Sequence, residues 1–271
     1  MVRHIWWADW PYGRVNEKLS ILDVVNSGVV DFKLAGLLWL LMEQRASVLV
    51  AAGPNFAGKS TVLQALLDFL PPWIQQVPLH GYAEDFKFSS YHKPDNTYLV
   101  AEEISNHSYE YLWGYQVVKA FELLDKGYAL GSTIHARNVR EVAYVLHGML
   151  NVPLPMISRL GAVVTLQVTR GRSYYDEPIR GVDTVSILNF ADKALYAQTL
   201  AARQSTGDEF VYLSEKDLHN VLYDKFGIRY DELSSEITRR ETFLSQLRDK
   251  GISSREAVKK AISDYYQARS T

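Results

Sequence analysis

The chain has 271 residues, and its 29 Lys and Arg against 31 Asp and Glu leave a formal net charge of −2. A hydrophobic share of 47% with 22% charged residues is an ordinary globular balance and excludes disorder as the main state. Near-neutral charge gives no global pull toward nucleic acid or anionic lipid, and the absence of cysteine excludes disulfides, thiolate zinc sites and cysteine nucleophiles.

Residues 1–20 are aromatic and polar, with Trp6, Trp7, Trp10, Pro11 and Gly13. They read as an arm packed on the chain's own core or on a partner, since exposed tryptophans are costly. The start at Met1 has no signal-peptide pattern. The most apolar runs, Ala35 to Met42 and Val48 to Ala52, are broken by Glu43 and Arg45 and are too short to span a bilayer.

From Ile21 to about Phe190, short β-like runs alternate with helical ones. Ser47 to Ala52 predicts a strand. Ser60 to Leu70 predicts a helix, stopped by Pro71 and Pro72. Thr97 to Ala101 predicts a second strand, Ser108 to Lys126 a helix ended by Gly127, and Tyr128 to Ile134 a third strand. Asn138, with Glu141 three residues on, caps a helix expected to run to about Leu150. Ala162 to Val168 and Val182 to Leu188 read as a hairpin or adjacent strands. Residues 214–268 read as all-helical, within a helical domain or tail over 205–271, with starts at Ser214/Asp217 and Ser253/Glu256 and a break at Gly251. This alternation implies an α/β fold on a largely parallel sheet. The expected division is an arm over 1–20, an α/β domain over 21–200 and a helical domain over 205–271.

Gly53-Pro54-Asn55-Phe56-Ala57-Gly58-Lys59-Ser60 fits G-x-x-x-x-G-K-[ST] in full, follows an apolar strand and opens an apolar-faced helix. Glycines let backbone N–H groups point inward at phosphate oxygens. The helix start through Thr61 adds its own N–H groups and positive dipole end. Lys59 would reach the β/γ-phosphates of ATP and the Ser60 hydroxyl would bind Mg²⁺. The strand Tyr98 to Ala101 runs into Glu102 and Glu103, the form of the second P-loop strand, whose terminal acid sits beside the phosphates and metal. Glu103 is the first candidate for activating water and Glu102 the alternative. Gly131-Ser132-Thr133-Ile134-His135-Ala136 ends the third strand, with Thr133 and His135 on one face. His135 is placed to sense the γ-phosphate or the metal.

These three elements in this order resemble the type II/type IV secretion ATPase family, which drives pilus, pseudopilus, archaellum and conjugation machines, with its archaeal-type branch most similar. Further residues carry the resemblance: Ala35 to Leu41 before Ser47 to Ala51, Leu67 to Pro72, Pro94-Asp95 ahead of Tyr98 to Glu103, Gly127 to Ala136, Asn151-Val152-Pro153, and the tail from Arg239 to Tyr266. The resemblance implies a RecA-like motor domain. It also implies a hexameric ring, or a hetero-oligomer with a related ATPase, on the cytoplasmic face of a membrane-embedded assembly complex, with no nucleic acid as cargo.

The chain departs from the family pattern in three places. Val77 to Tyr82 stands where the family has an acidic box, with Glu84 and Asp85 a few residues on. No arginine occurs between Arg45 and Arg137, and Ser105 and Val145 stand where arginines are expected. An arginine finger is worth roughly 10³–10⁵ in rate, so this bears on hydrolysis more than on binding. Arg137, Arg140, Arg170 and Arg172 are the candidates to serve a neighbouring subunit. The family's N-terminal domain is also expected to be missing. A second reading follows: a nucleotide-binding paralogue with little turnover, acting as a regulatory or structural subunit. An ABC protein would carry a second glycine-rich signature and a small-molecule kinase an arginine-rich lid, and neither is present.

Overall fold

Strand β1 (Val48–Ala52) is buried at every position, as a parallel strand covered on both faces must be. The computed structural model describes residues 19–53, 56–169, 179–204 and 209–270. All but the last two residues of the expected arm, together with Pro54, Asn55, Arg170 and Arg172, lie outside them. The other strands are β2 (Gln75–Pro78), β3 (Thr97–Ile104), β4 (Ala129–His135), β5 (Ala162–Thr169), β6 (Ile179–Ala191), β7 (Ala194–Arg203) and β8 (Phe210–Tyr212). They form one sheet of order β2-β3-β4-β1-β5-β6-β7-β8. The first five are mutually parallel and the last three join antiparallel, so the expected α/β fold on a mostly parallel sheet is what forms. The segments expected as a hairpin or neighbours, β5 and β6, pair antiparallel from Val163–Ser186 to Thr169–Ile179.

Helices cover both faces. On one lie α1 (Ile21–Asn26), α2 (Phe32–Glu43), α3 (Lys59–Leu67), α7 (Glu215–Phe226), α8 (Tyr230–Asp249) and α9 (Arg255–Ser270), packed on Val48, Val50 and Ala52. On the other, α4 (Tyr115–Asp125), α5 (Val139–Ala143) and α6 (Leu154–Ile157) pack on Leu49 and Ala51. The alternation of a strand's side chains distributes one apolar run between two cores. Helix α2 is buried from Leu34 to Met42, which is why its sequence is apolar all round. Its N-cap Asp31 accepts from Leu34 N at 2.7 Å and from the Tyr212 hydroxyl at 2.7 Å, tying α2 to β8.

Among the element boundaries that differ from expectation, three are instructive. The helix expected from Ser108 begins only at Tyr115. The Leu112 N–H, which a helix would direct to the Ser108 carbonyl, donates instead to Glu103 O at 2.9 Å. The tail is not helical throughout 205–271, because Phe210–Tyr212 is the last strand of the sheet. Helix α9 starts one residue late: Ser254, not Ser253, accepts from Ala257 N at 3.3 Å. The caps at Asn138 and Ser214 form as expected, and the Asn138 helix continues past α5 as a π-helical turn over Tyr144–Met149.

The C-terminal helices share one apolar cluster with α1 to α3. The Trp39 indole donates to the Tyr266 hydroxyl at 2.8 Å, and that hydroxyl donates to Phe69 O at 2.7 Å. Arg255 donates to both oxygens of Asp68, at 2.6 and 3.1 Å. The helix that opens the phosphate loop is therefore anchored at its far end by α9. Among the described residues, no helix is long and apolar enough to cross a membrane.

Candidate functional site

The order β3-β4-β1 sets three strand ends side by side, and parallel strands bring their carboxyl ends to the same edge. β1 leads through the glycine-rich loop into α3. At Gly58 the backbone takes φ +90°, a left-handed conformation that costs glycine nothing, and it turns the chain so that α3 starts at Lys59. Phe56 is 90% exposed with φ +58°, while Ala57 is buried. Ser60 and Thr61 lie half-buried in the first turn of α3. Gly53 leaves no room for a side chain: a Cβ there would stand 2.5 Å from Arg137 Cγ. Pro54 and Asn55 lie outside the described residues.

Three of the expected side chains converge. Lys59 Nζ lies 3.9 Å from Glu103 Oε2 and 3.5 Å from His135 Nε2, and His135 Nε2 is 3.3 Å from Glu103 Oε1. Lys59 is only 7% exposed, and burial pulls its ammonium below the usual lysine range, with Glu103 partly offsetting that. Thr133 and His135 share a face as expected, and both meet Glu103: the Thr133 hydroxyl donates to Glu103 Oε2 at 3.4 Å.

Glu102 does not join them. The pairing of β3 with β4 shifts register between Val100 and Glu103, and Thr133 donates to the Glu102 carbonyl at 2.9 Å rather than to its carboxylate. Burial first, then Glu110 and Glu103, push the Glu102 carboxyl up to about 8, and its Oε2 has no hydrogen-bond partner. At neutral pH Glu102 holds its proton, which suits it poorly to accept one.

Glu84 and Asp85, the acids nearest the missing acidic box, are engaged within their own loop. Glu84 accepts from His80 N at 2.8 Å and Phe86 N at 2.7 Å, and Asp85 pairs with Lys87 at 2.6 Å. Arg137 is held by Glu141, with Nε donating at 2.7 Å.

Two residues at the site were not singled out by the sequence. Arg180, on β6 two strands from β1, donates from Nε to Phe56 O at 2.9 Å and so braces the glycine-rich loop. No motif marks it, because the contact exists only once β6 folds back along β5. His107, exposed on the loop after β3, sets its ring 5.5 Å from that of His135, tilted at 56° to it. Its spacing four residues after Glu103 was the available signal.

No family model matches the chain. Two uncharacterized proteins of Methanocaldococcus jannaschii are similar in sequence. MJ0900 is 24% identical over 172 residues, covering 54% of this chain and 30% of its own length. MJ1287 is 24% identical over 257 residues, covering 83% of this chain and 90% of its own length. Among solved structures, the chain is similar to the VirB11 ATPase of the Brucella suis type IV secretion system, at 13% identity and a TM-score of 0.37, over 68% of this chain and 62% of that one. It is likewise similar to the pilus retraction motor PilT, at 13% identity and 0.39 over 57% and 52%. The Legionella pneumophila ATPase DotB matches at 12% identity and 0.33 over 82% and 62%. The chain thus spans less than two thirds of each of these three structures and of MJ0900.

Proposed function

We propose that the chain is an ATP-binding and ATP-hydrolysing motor of the type II/type IV secretion ATPase family, with a RecA-like core, working as an oligomer on the inner face of a membrane-embedded assembly machine. The observation that carries this reading is the convergence of Lys59, Glu103 and His135 from three adjacent strand ends, Lys59 being part of a complete phosphate-loop motif. The loop motif, the helix behind it and the sequence resemblance stated above point the same way.

Each residue then has a task its surroundings suit. Lys59 is desolvated and held at ion-pair rather than hydrogen-bond length, so its N–H donors turn readily to phosphate oxygens. The first-turn N–H groups of α3 add donors there. Glu103 orients the attacking water and takes its proton. His135, bridging Lys59 and Glu103, registers whether the γ-phosphate has drawn Lys59 away. Arg180 keeps the loop in its receiving shape. For Mg²⁺, the donor set fits: the Ser60 hydroxyl and the Glu103 carboxylate are hard oxygens. The ion would neutralise charge developing on the phosphates.

A second reading, a nucleotide-binding paralogue with little turnover, is favoured by one observation. Glu84 and Arg137, candidates to stand in for the missing acidic box and arginine, are both engaged elsewhere. Steady-state ATP hydrolysis by the purified chain, with and without a related family member, separates the two. Turnover of ~1 s⁻¹ or faster supports the motor. In that case Lys59→Ala lowers turnover by roughly 100-fold or more. Undiminished hydrolysis by Lys59→Ala would sink both the site and the reading.

A further inference from the structure

His107 has no part in the nucleotide roles above, yet it completes a second geometry. One ligand atom each from Glu103, His107 and His135 lie within 4.8 Å of one another. Two imidazoles and one carboxylate at that spacing are the donor set of borderline divalent metals, three protein ligands with a further position open. They come from two rigid strand ends and the turn between them. His107 N donates to Ser105 Oγ at 3.3 Å, which shapes the turn that carries the ring. The Thr133 hydroxyl orients Glu103 from behind, as an outer-shell donor does for a metal-bound carboxylate.

A second, independent observation points to a cation here. The Lys59 ammonium already sits against two of the three ligands, 3.9 Å from Glu103 and 3.5 Å from His135. A positive charge is the natural occupant of this spot, and Lys59 supplies one when nothing else does.

We propose that Glu103, His107 and His135 form a binding site for a borderline transition-metal dication of the Zn²⁺ class, occupied in competition with Lys59. It differs in chemistry from the oxygen-liganded Mg²⁺ position of Ser60 and Glu103. Mg²⁺ demands oxygen ligands and octahedral geometry, so two imidazoles discriminate against it. Both positions use Glu103, so a metal held by the histidines withdraws that carboxylate from water activation. The affinity of the site does not depend on the proposed hydrolysis; only this last consequence rests on it.

The test is a Zn²⁺ titration of the untagged, nucleotide-free full chain against a chromogenic chelator, with Co²⁺ absorption as a readout of ligand geometry. One tight Zn²⁺ per chain is expected, undisturbed by millimolar Mg²⁺. His107→Ala should weaken it at least tenfold and abolish the Co²⁺ bands. Because His107 is exposed, the variant should keep the wild-type melting temperature. Lys59→Ala should strengthen Zn²⁺ binding, by removing the competing charge. Wild-type Zn²⁺ affinity in His107→Ala, displacement of Zn²⁺ by Mg²⁺, or weaker binding in Lys59→Ala would each overturn the proposal. Loss of ATP hydrolysis with intact Zn²⁺ binding would count against the motor reading alone.

Discussion

Two clusters of buried charge lie on the two halves of this molecule, and they are built in opposite ways. Between α2 and α8, the fully buried Arg240 meets Glu43, and Glu236 at 2.6 Å; Glu236 also takes Arg269 at 2.7 Å and Arg239 at 2.5 Å. At the phosphate loop, the nearly buried Lys59 has its two partners only at 3.5 and 3.9 Å. Burying a charge costs heavily unless it is closely paired. The first cluster meets that requirement internally and serves as a structural lock. The second holds its charges at longer range, and on that looseness rest the proposed anion at Lys59 and the proposed cation among Glu103 and the histidines.

The sharpest way to break this comparison is at the lock. Burial alone would raise the Glu236 carboxyl, but Arg240, Arg269 and Arg239 outweigh it and hold it below the usual range. Glu236→Ala takes one of two carboxylate partners from the buried Arg240 guanidinium, leaving Glu43, and about 3–5 kcal/mol of stability should go with it. Chemical denaturation measures the loss, while phosphate or nucleotide affinity of the remaining folded protein should not change. A stability loss below 1 kcal/mol would mean the two clusters are alike after all.

A smaller effect is expected at Glu102. The folded chain keeps its proton up to about 8, whereas the unfolded chain releases it near 4.5. Between those values the native state binds more protons, so this group's contribution to stability falls as pH rises through the window. Glu102→Gln cannot lose that proton. Relative to wild type it should gain roughly 1–3 kcal/mol between pH 5 and pH 9. Parallel melting curves for the two proteins across that range would show that Glu102 is not held protonated.

The smallest effect is expected at Arg180. One hydrogen bond to Phe56 O, worth about 1 kcal/mol, braces the loop. Arg180→Ala should weaken ATP binding by roughly 3–10-fold while leaving the melting temperature within about 2 °C. Unchanged affinity would remove Arg180 from the site.

Much of the site was legible in the chain itself, because its parts are local. A glycine-rich loop between an apolar strand and an apolar-faced helix, and carboxylates ending a second strand, are patterns of a few adjacent residues. The choice of Glu103 over Glu102 was legible only as a preference. What sets the two carboxylates apart is the register shift of β3 on β4, a relation between strands about 30 residues apart. The late start of α4 had the same kind of cause: Leu112 pairs with Glu103 across the loop instead of continuing a local helix. Arg180, 124 residues from its partner Phe56, left no trace in any local pattern.

The sequence by itself determined the α/β alternation, the phosphate loop, and which strands end in chemistry, since periodicity, caps and turn residues act within a few positions of one another. The tertiary structure alone decided what those ends do to each other. Strand order set Glu103 and His135 beside Lys59, a bulge turned Glu102 aside, the fold of β6 brought Arg180 under the loop, and His107 came to face His135. Each of these depends on long-range pairing, whose geometry no short window of residues contains.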